Sequence, residues 1–296
     1  RKVGHDPTER KDPSVTHTHL TRASSRALAI CSALLIVASI PAIAYELANA
    51  LSGVAASTAA IALAASSLSA VVGVLLLGWL ARWTPSVLSW IAAFAWGTGG
   101  ALIISGFGNG TVDAWVAASS LDEDTVDFVT SVITGPVVEE TAKGIGVLLL
   151  ILAARKVLRR PAQGGVVGAL VGLGFAWGED IGYYVSALDD GMGGLWESFL
   201  ARALLGAFGH AIFTGAFGFA LCWALVRAKN VLVGFFVAAL GFAAALLLHA
   251  QANGVGFLAP EDSWNLTYGS IELPVLAVAA VLLVWGLRRP RATLDA

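Results

Sequence analysis

The chain has 296 residues, of which 57% are hydrophobic and 13% are charged, whereas about a quarter of the residues in ordinary soluble domains are charged. A soluble protein of this composition would have too few polar side chains to cover its surface, and the mean hydropathy of +0.78 points the same way. The net charge of −2 gives no support for a nucleic-acid partner. We therefore expect a protein that crosses the lipid bilayer several times.

Eight apolar segments are long enough to cross the hydrocarbon core, which takes about 20 helical residues. They cover residues 27–50, 61–81, 87–107, 128–154, 164–188, 199–226, 231–250 and 271–287. The sequence thus predicts an all-α, polytopic membrane protein with eight transmembrane helices. Residues 1–26 are predicted to form a flexible basic cytoplasmic tail, residues 27–287 the membrane domain, and residues 288–296 a short cytoplasmic tail.

The distribution of basic residues tests this topology independently. With a cytoplasmic N-terminus, eight spans place sixteen of the eighteen Lys and Arg residues on the cytoplasmic side, while the loops on the other side contain acidic residues and no basic ones. This distribution follows the positive-inside rule. One span more or fewer would move every later loop to the opposite side of the membrane and destroy this distribution. We therefore expect both termini in the cytoplasm and the protein in the cell membrane.

Several ionisable residues lie inside the predicted spans, although each charge at the bilayer centre costs about 2.5–3.5 kcal/mol on insertion scales. They are Glu46, Glu139, Glu140, Lys143, Glu179, Asp180, Arg202, His210 and His249. Glu46 lies near the outer end of its span, where a structural role is the better interpretation. The other eight exceed what helix adhesion requires, and such residues usually mark functional sites.

Four of the predicted helices bring these groups to similar depths. With a rise of 1.5 Å per residue, Glu139 and His210 each lie about 17 Å below the outer ends of their spans. Glu179 lies about 14 Å from the outer end of the fifth span, and His249 is predicted at the outer end of the seventh. Scattered structural residues would not be expected to share one level. The sequence therefore predicts one site in the outer half of the bilayer.

The residue types in this site indicate hydrolysis by activated water. Lys143 can pair with Glu139 or Glu140, which precede it by four and three residues on one helix face. A glutamate can take a proton from water, and a histidine or asparagine can stabilise the oxyanion that develops on a carbonyl. Two histidines and one glutamate could instead hold zinc with an open fourth position. The first alternative needs no cofactor and the second needs zinc.

The fifth span also carries small residues at helical spacing. Its glycines form two stripes, Gly164, Gly168 and Gly172, and then Gly174, Gly178 and Gly182. Small residues let helices in a membrane approach one another closely. We expect these stripes to serve packing rather than chemistry.

Two segments with these charges resemble motifs of the PrsW family of intramembrane proteases. Residues 136–143 (PVVEETAK) resemble its E-E-x-x-K signature, and residues 175–179 (FAWGE) resemble its F-x-x-x-E motif. The family is related to the CAAX prenyl endopeptidases and to bacteriocin-processing membrane proteases. Compared with the CAAX branch, this chain has Glu179 in place of a histidine and Lys143 in place of an arginine, which favours the PrsW branch.

The third and fourth PrsW motifs follow in order on the next two spans. Arg202 and His210 resemble the third, and the pair His249 and Asn253 resembles the last, which is of the type H-x-x-x-N. Together the four motifs cover residues 136–253. The combination is specific, although each motif alone is weak.

The resemblance implies a role for each matched residue. Glu139 and Glu140 supply the base, Glu179 and His210 complete the activation of water, and His249 with Asn253 lies nearest the oxyanion. The supporting residues are charge partners and packing groups: Lys143, Arg202 and Phe175. Arg202 could instead hold a carbonyl of the substrate. A metal, if bound, would be held by members of the set Glu139, Glu140, Glu179, His210 and His249.

The resemblance also implies the substrate class, which is single-pass membrane proteins such as anti-sigma factors, cleaved near the outer face. A proton-coupled transporter is an alternative, since intramembrane carboxylates, lysines and histidines also form proton relays. However, the two halves of the chain show no convincing inverted repeat, and the acidic groups cluster at one level. A non-proteolytic membrane scaffold is the third alternative. The ionisable residues inside the spans argue against it, because a scaffold would have no need of groups that are costly to insert into the membrane.

Overall fold

The computed structural model describes residues 13–80, 86–205, 208–258 and 264–288. Within these ranges every regular element is a helix, which confirms the all-α class. In chain order the helices are α1 (Pro13–Ala50), α2 (Ala56–Leu80), α3 (Val87–Ala117), α4 (123–154), α5 (Pro161–Ala187), α6 (191–205), α7 (Gly209–Arg227), α8 (Val231–Leu258) and α9 (Trp264–Arg288).

Five of the described helices are long and apolar enough to cross a membrane: α1 from Ser25 onward, α2, α3, α7 and α8. In α9 the apolar part is shorter and covers Gly269–Leu282. The helices α4 and α5 contain the ionisable groups noted in the sequence, which lower their mean hydropathy. The structure thus supports a multi-pass membrane protein, and the total of eight spans stays a prediction.

The predicted tails are described only in part. Residues 1–12 and 289–296 lie outside the described ranges. From Pro13 onward the N-terminal segment is already helical, as part of α1, whereas the sequence predicted no regular structure before residue 27. Its polar composition hides this helix from hydropathy. The boundaries between tails and membrane domain stay predictions.

The predicted sixth span, residues 199–226, is not one continuous helix. α6 ends at Leu205 and α7 begins at Gly209. Between them Phe208 has a left-handed backbone conformation with φ of 65°, which is unfavourable for a residue with a Cβ atom. His210 therefore lies in the first turn of α7 and not in the middle of a span. Hydropathy could not predict the break because the residues around it are apolar.

The prediction that His249 lies at the outer end of its span is also wrong. α8 extends to Leu258, so that His249 lies nine residues, or about 14 Å, before the end of the helix. Asn253 follows one turn later on the same face. The seventh span was predicted to end at residue 250, whereas Ala252 and Asn253 are still helical and line a cavity.

Close contact between α5 and α7 fixes the position of His210. A Cβ atom on Gly168 would lie 2.2 Å from the carbonyl oxygen of Thr214, and one on Gly172 would lie 2.1 Å from that of His210. The predicted role of the first glycine stripe in packing is thus confirmed. In the second stripe Gly174 meets the backbone of α3 in the same way, but Gly182 has nothing near its Cβ position.

We expect Gly168→Ala to separate α5 from α7 and to lower stability by about 1–3 kcal/mol, because the new methyl group would overlap backbone that cannot turn aside. The matched control is Gly182→Ala, which adds a methyl group to open space on the same helix. Thermal unfolding of the two purified variants measures the difference. Equal midpoints for the two variants would contradict the packing role.

A π-helical segment in α3, Trp96–Ala101, connects α3 to both helices that carry the carboxylates. The indole nitrogen of Trp96 donates a hydrogen bond to the carbonyl oxygen of Ala142 on α4 at 3.1 Å. The hydroxyl of Thr98 donates to the carbonyl oxygen of Gly174 on α5 at 2.9 Å. These bonds fix α4 and α5 side by side.

α4 contains a second π-helical segment, Val129–Thr134, which ends two residues before Pro136. Proline has no backbone N–H and cannot complete the regular helical hydrogen bonds of the preceding turn. At its N-terminal end α4 is capped by Asp122, which accepts hydrogen bonds from the backbone N–H and the hydroxyl of Thr125. These bonds lower the pKa of Asp122.

One turn after Pro136, α4 carries the two glutamates at positions 139 and 140.

Candidate active site

Ionisable side chains from five helices converge in the interior of the described structure. Every charged or imidazole residue that the sequence predicted for the site is part of this cluster. Its members are Glu139, Glu140 and Lys143 on α4, Glu179 and Asp180 on α5, Arg202 on α6, His210 on α7 and His249 on α8.

Glu140 is fully buried and both of its oxygens have partners. Its Oε1 accepts a hydrogen bond from the ammonium of Lys143 at 2.8 Å and lies 3.1 Å from Nδ1 of His249. Its Oε2 accepts from the hydroxyl of Thr214 at 2.9 Å. A carboxylate with three short contacts is well suited to orient its neighbours.

Glu139 is held more loosely and is the more accessible of the two. Its Oε2 lies 3.3 Å from the Lys143 ammonium and 3.7 Å from Nε2 of His249. Its Oε1 accepts a long hydrogen bond of 3.4 Å from the side-chain amide of Asn109 on α3. The side chain also lines two cavities. Glu139 therefore has room for a new partner, which Glu140 lacks.

Lys143 occupies the centre of the cluster. Its ammonium contacts both glutamates of α4, lies 2.9 Å from Nδ1 of His210 and sits 3.8 Å from the centroid of the Phe175 ring. The side chain has no exposed surface. Because removal of one partner from a buried ion pair leaves the other uncompensated, Lys143 stabilises the folded arrangement of the two glutamates.

A second set of ion pairs connects α5, α6 and α7. Arg202 donates hydrogen bonds to Glu179 and to Asp180, and its guanidinium lies over the ring of Tyr183. The same oxygen of Glu179 lies 3.0 Å from Nε2 of His210. One imidazole thus contacts a carboxylate on one side and the Lys143 ammonium on the other.

The two imidazoles lie against each other and against aromatic rings. The ring centroids of His210 and His249 are 4.9 Å apart with an interplanar angle of 89°. Phe213 stacks on His249 at 5.2 Å, and Phe175 lies 5.3 Å from His210. Phe175 is buried, as expected for a packing residue. These contacts restrict the orientation of both imidazoles.

Asn253 lies at the edge of the cluster, one turn after His249. Its amide nitrogen donates a hydrogen bond to the carbonyl oxygen of Ser131 at 2.9 Å, and the side chain is exposed. It lines the same two cavities as His249. The hydrogen bond connects α8 to the π-helical segment of α4.

Cavities lined by described residues border the cluster on several sides. The polar cavity, of about 410 Å³, is lined by Asp113, Ser131, Glu139, His210 and Asn253. The α9 cavity, of about 320 Å³, lies between α2 and α5–α9 beside the two histidines. The α1 cavity, of about 230 Å³, reaches Glu139 from the side of α1 and includes Glu46 in its wall. Substrate and water therefore have space on more than one side of Glu139.

The charges of the cluster do not balance by themselves. Four carboxylates face two cationic side chains, Lys143 and Arg202. With all four ionised and both imidazoles neutral, the cluster carries two negative charges in excess. Buried charge is costly unless it is compensated. A divalent cation would compensate this excess.

The donors needed for such a cation are present. Glu139, His210 and His249 each offer one ligand atom, and these atoms lie within 4.8 Å of one another. Two histidines and one carboxylate with an open fourth position form a known catalytic zinc set. The ammonium of Lys143 lies within 3.3 Å of ligand groups on Glu139 and His210. The residues therefore fit a divalent metal in kind and number, with Lys143 as a neighbouring cation.

Comparison with known families decides the assignment. The family described as PrsW family intramembrane metalloprotease matches residues 85–286, about two thirds of the chain. The chain belongs to the PrsW family. Membership confirms the resemblance that the four motifs indicated and identifies the chain as a peptidase. Searches of curated proteins and of solved structures gave no match.

The PrsW match covers α3 to α9, and hence every member of the cluster. Glu46 and the whole of α1 and α2 lie before it. The description of the family as metalloproteases agrees with the donor set formed by Glu139, His210 and His249. The three ligand groups come from α4, α7 and α8, so no short sequence motif could have indicated a metal site.

Three polar residues near the site were not predicted from the sequence. Asn109 contacts Glu139, and Thr214 contacts Glu140. Glu272 on α9 is fully buried in the wall of the α9 cavity. Asn109 and Glu272 lie at or beyond the ends of predicted spans, where polar residues are ordinary, and a lone threonine in an apolar helix gives no signal.

Proposed function

We propose that this PrsW-family protein hydrolyses a peptide bond of single-pass membrane proteins with a water molecule activated at Glu139. The observation that carries the proposal is the difference between the two glutamates. Glu140 has three short contacts and no accessible surface to offer, whereas Glu139 has longer contacts and faces two cavities. Activation of water needs a carboxylate that can accept a new hydrogen bond.

In this mechanism Glu139 takes a proton from the water as the oxygen attacks the carbonyl carbon of the substrate. Glu140 holds His249 in place through its Nδ1 contact, so that Nε2 faces Glu139 and the polar cavity. The side-chain amide of Asn253 donates a hydrogen bond to the oxyanion. His249 beside it adds a second one from Nε2–H when both of its ring nitrogens carry a proton. Glu139 then returns the proton to the leaving nitrogen. His210 is oriented by Glu179 and supports the same face.

A divalent metal, with zinc as our proposal, would be held by Glu139, His210 and His249. When bound, such an ion lowers the pKa of its water ligand and polarises the carbonyl oxygen. Glu140 and Glu179 would orient the two imidazoles in either case. The His249 nitrogen that held the metal could not also donate to the oxyanion, and the metal would supply that stabilisation in its place. At metal sites a ligating histidine commonly donates its other ring N–H to a carboxylate, and this bond fixes its orientation.

We further propose that the chain has eight spans with both termini in the cytoplasm, within the cell membrane. Under this topology the polar cavity lies towards the outer face, since its wall includes Asp113 and Thr130 near the outer ends of α3 and α4. Water then reaches the site from outside the cell. Single-pass membrane proteins such as anti-sigma factors are the proposed substrates, cleaved in the outer half of their span.

Removal of metal provides the test of the proposed zinc site. We expect purified protein to contain about one equivalent of zinc by elemental mass spectrometry, to lose cleavage of a single-span substrate after chelation, and to recover it when zinc is added. His249→Gln should lower the zinc content, whereas His19→Gln, in the predicted tail, should not. Full cleavage by protein freed of metal would contradict the zinc site and favour a metal-free glutamate mechanism.

A further inference from the structure

Glu272 differs from the other buried carboxylates of the described structure. It has no exposed surface, and neither of its carboxylate oxygens makes a hydrogen bond of regular geometry with a described residue. The neutral side-chain amide of Gln251 lies beside it but provides no counter-charge. A buried carboxylate without a partner is costly. A group that is costly in the free protein and lies in the wall of a cavity is suited to bind a ligand.

The described interior offers no spare cation for Glu272. The two basic residues inside the predicted spans are Lys143 and Arg202, and both are engaged with other carboxylates. A positively charged partner would therefore have to arrive with a ligand.

Glu272 and the catalytic histidine of α8 share one cavity and one level. Glu272 lies eight residues after the start of α9, and His249 lies nine residues before the end of α8. These distances correspond to about 12 and 14 Å along two successive helices. Both residues line the α9 cavity, where Ala252 and Gly256 leave space beside them.

We propose that the α9 cavity is a substrate subsite that binds a lysine or arginine side chain of the membrane-protein substrate, with Glu272 as its counter-charge. This inference rests on the proposed function, since it names a feature of the substrate of the same site. A basic side chain placed there anchors the substrate while the neighbouring peptide bond lies against Glu139 and His249. Glu272 thereby determines specificity and takes no part in proton transfer.

Binding of designed peptides tests the subsite separately from cleavage. The full chain with Glu139→Gln, which prevents turnover, is placed in lipid nanodiscs. The probes are polyleucine single-span peptides with one lysine at successive positions in the outer half, each matched by a peptide with glutamine at that position. We expect at least one lysine peptide to bind about tenfold more tightly than its match, and the preference to disappear when Glu272→Gln is added.

Two results would overturn the subsite: no lysine peptide binds more tightly than its glutamine match, or the preference persists in Glu272→Gln. Thermal unfolding distinguishes a substrate subsite from a structural role of Glu272. Loss of a carboxylate that stabilises the fold through an ion pair would lower the midpoint of unfolding. We expect Glu272→Gln to leave this midpoint unchanged or to raise it. Cleavage of the same peptides by the wild type is recorded independently. If a lysine peptide binds more tightly than its glutamine match but the wild type does not cleave it, the proposed hydrolysis is refuted and the proposed subsite is still supported.

Discussion

Glu139→Gln is expected to reduce cleavage of a single-span substrate by about 10²–10⁴-fold, the usual contribution of general acid–base catalysis. Glutamine keeps the shape of the side chain and can still accept the bond from Asn109, but it cannot accept the proton of the attacking water. Because Glu139 is held by contacts of 3.3–3.7 Å, the fold should survive the change. The measurement is the initial rate of cleavage in liposomes at saturating substrate.

Glu123→Gln is the matched control for this variant, because it makes the same chemical change in the exposed first turn of the same helix. It should cleave at the wild-type rate. The double variant with Glu139→Gln and Glu140→Gln should be no more active than Glu139→Gln alone. Undiminished cleavage by Glu139→Gln would contradict its role as the base.

Lys143→Met is expected to have the largest effect on stability, at about 3–5 kcal/mol, the usual cost of removing one partner from a buried ion pair. Methionine fills a similar volume but leaves Glu139 and Glu140 without their common counter-charge. His210 also loses its contact through Nδ1. Reversible unfolding of the purified protein in mixed detergent micelles measures the free energy of unfolding.

Lys156→Met provides the control, because Lys156 is exposed at the end of α4 and its loss should change stability by less than about 0.5 kcal/mol. A loss of stability in Lys143→Met no larger than in the control would refute the central position of this ammonium.

The sequence was sufficient to predict which residues meet, because charge inside a membrane is rare and costly. Glu139, Glu179 and His210 were predicted at similar depths from the helical rise alone, and the structure brings them together. The packing of α5 was likewise predictable from its glycines, since only residues without a side chain allow backbones to approach as closely as Gly168 and Thr214 do.

The contacts that differentiate the roles of these residues were not predictable. Glu139 and Glu140 are adjacent in the sequence, and contacts from other helices, among them Thr214 to Glu140 and Asn109 to Glu139, distinguish a fixed carboxylate from an accessible one. The break before α7 was missed because it interrupts an apolar run. The unpaired state of Glu272 depends on which side chains surround it, and that is a property of the folded arrangement of α8 and α9.

The central claim is that water activated at Glu139 cuts a membrane-protein substrate beside His249. The most direct test is cleavage of a single-span substrate by the purified protein in liposomes prepared in ¹⁸O-labelled water, with mass spectrometry of the fragments. We predict a new C-terminus in the outer half of the span that carries one ¹⁸O atom, and its absence with Glu139→Gln. The same labelled fragment produced at the same rate by Glu139→Gln, or no fragment from the wild type, would contradict the account.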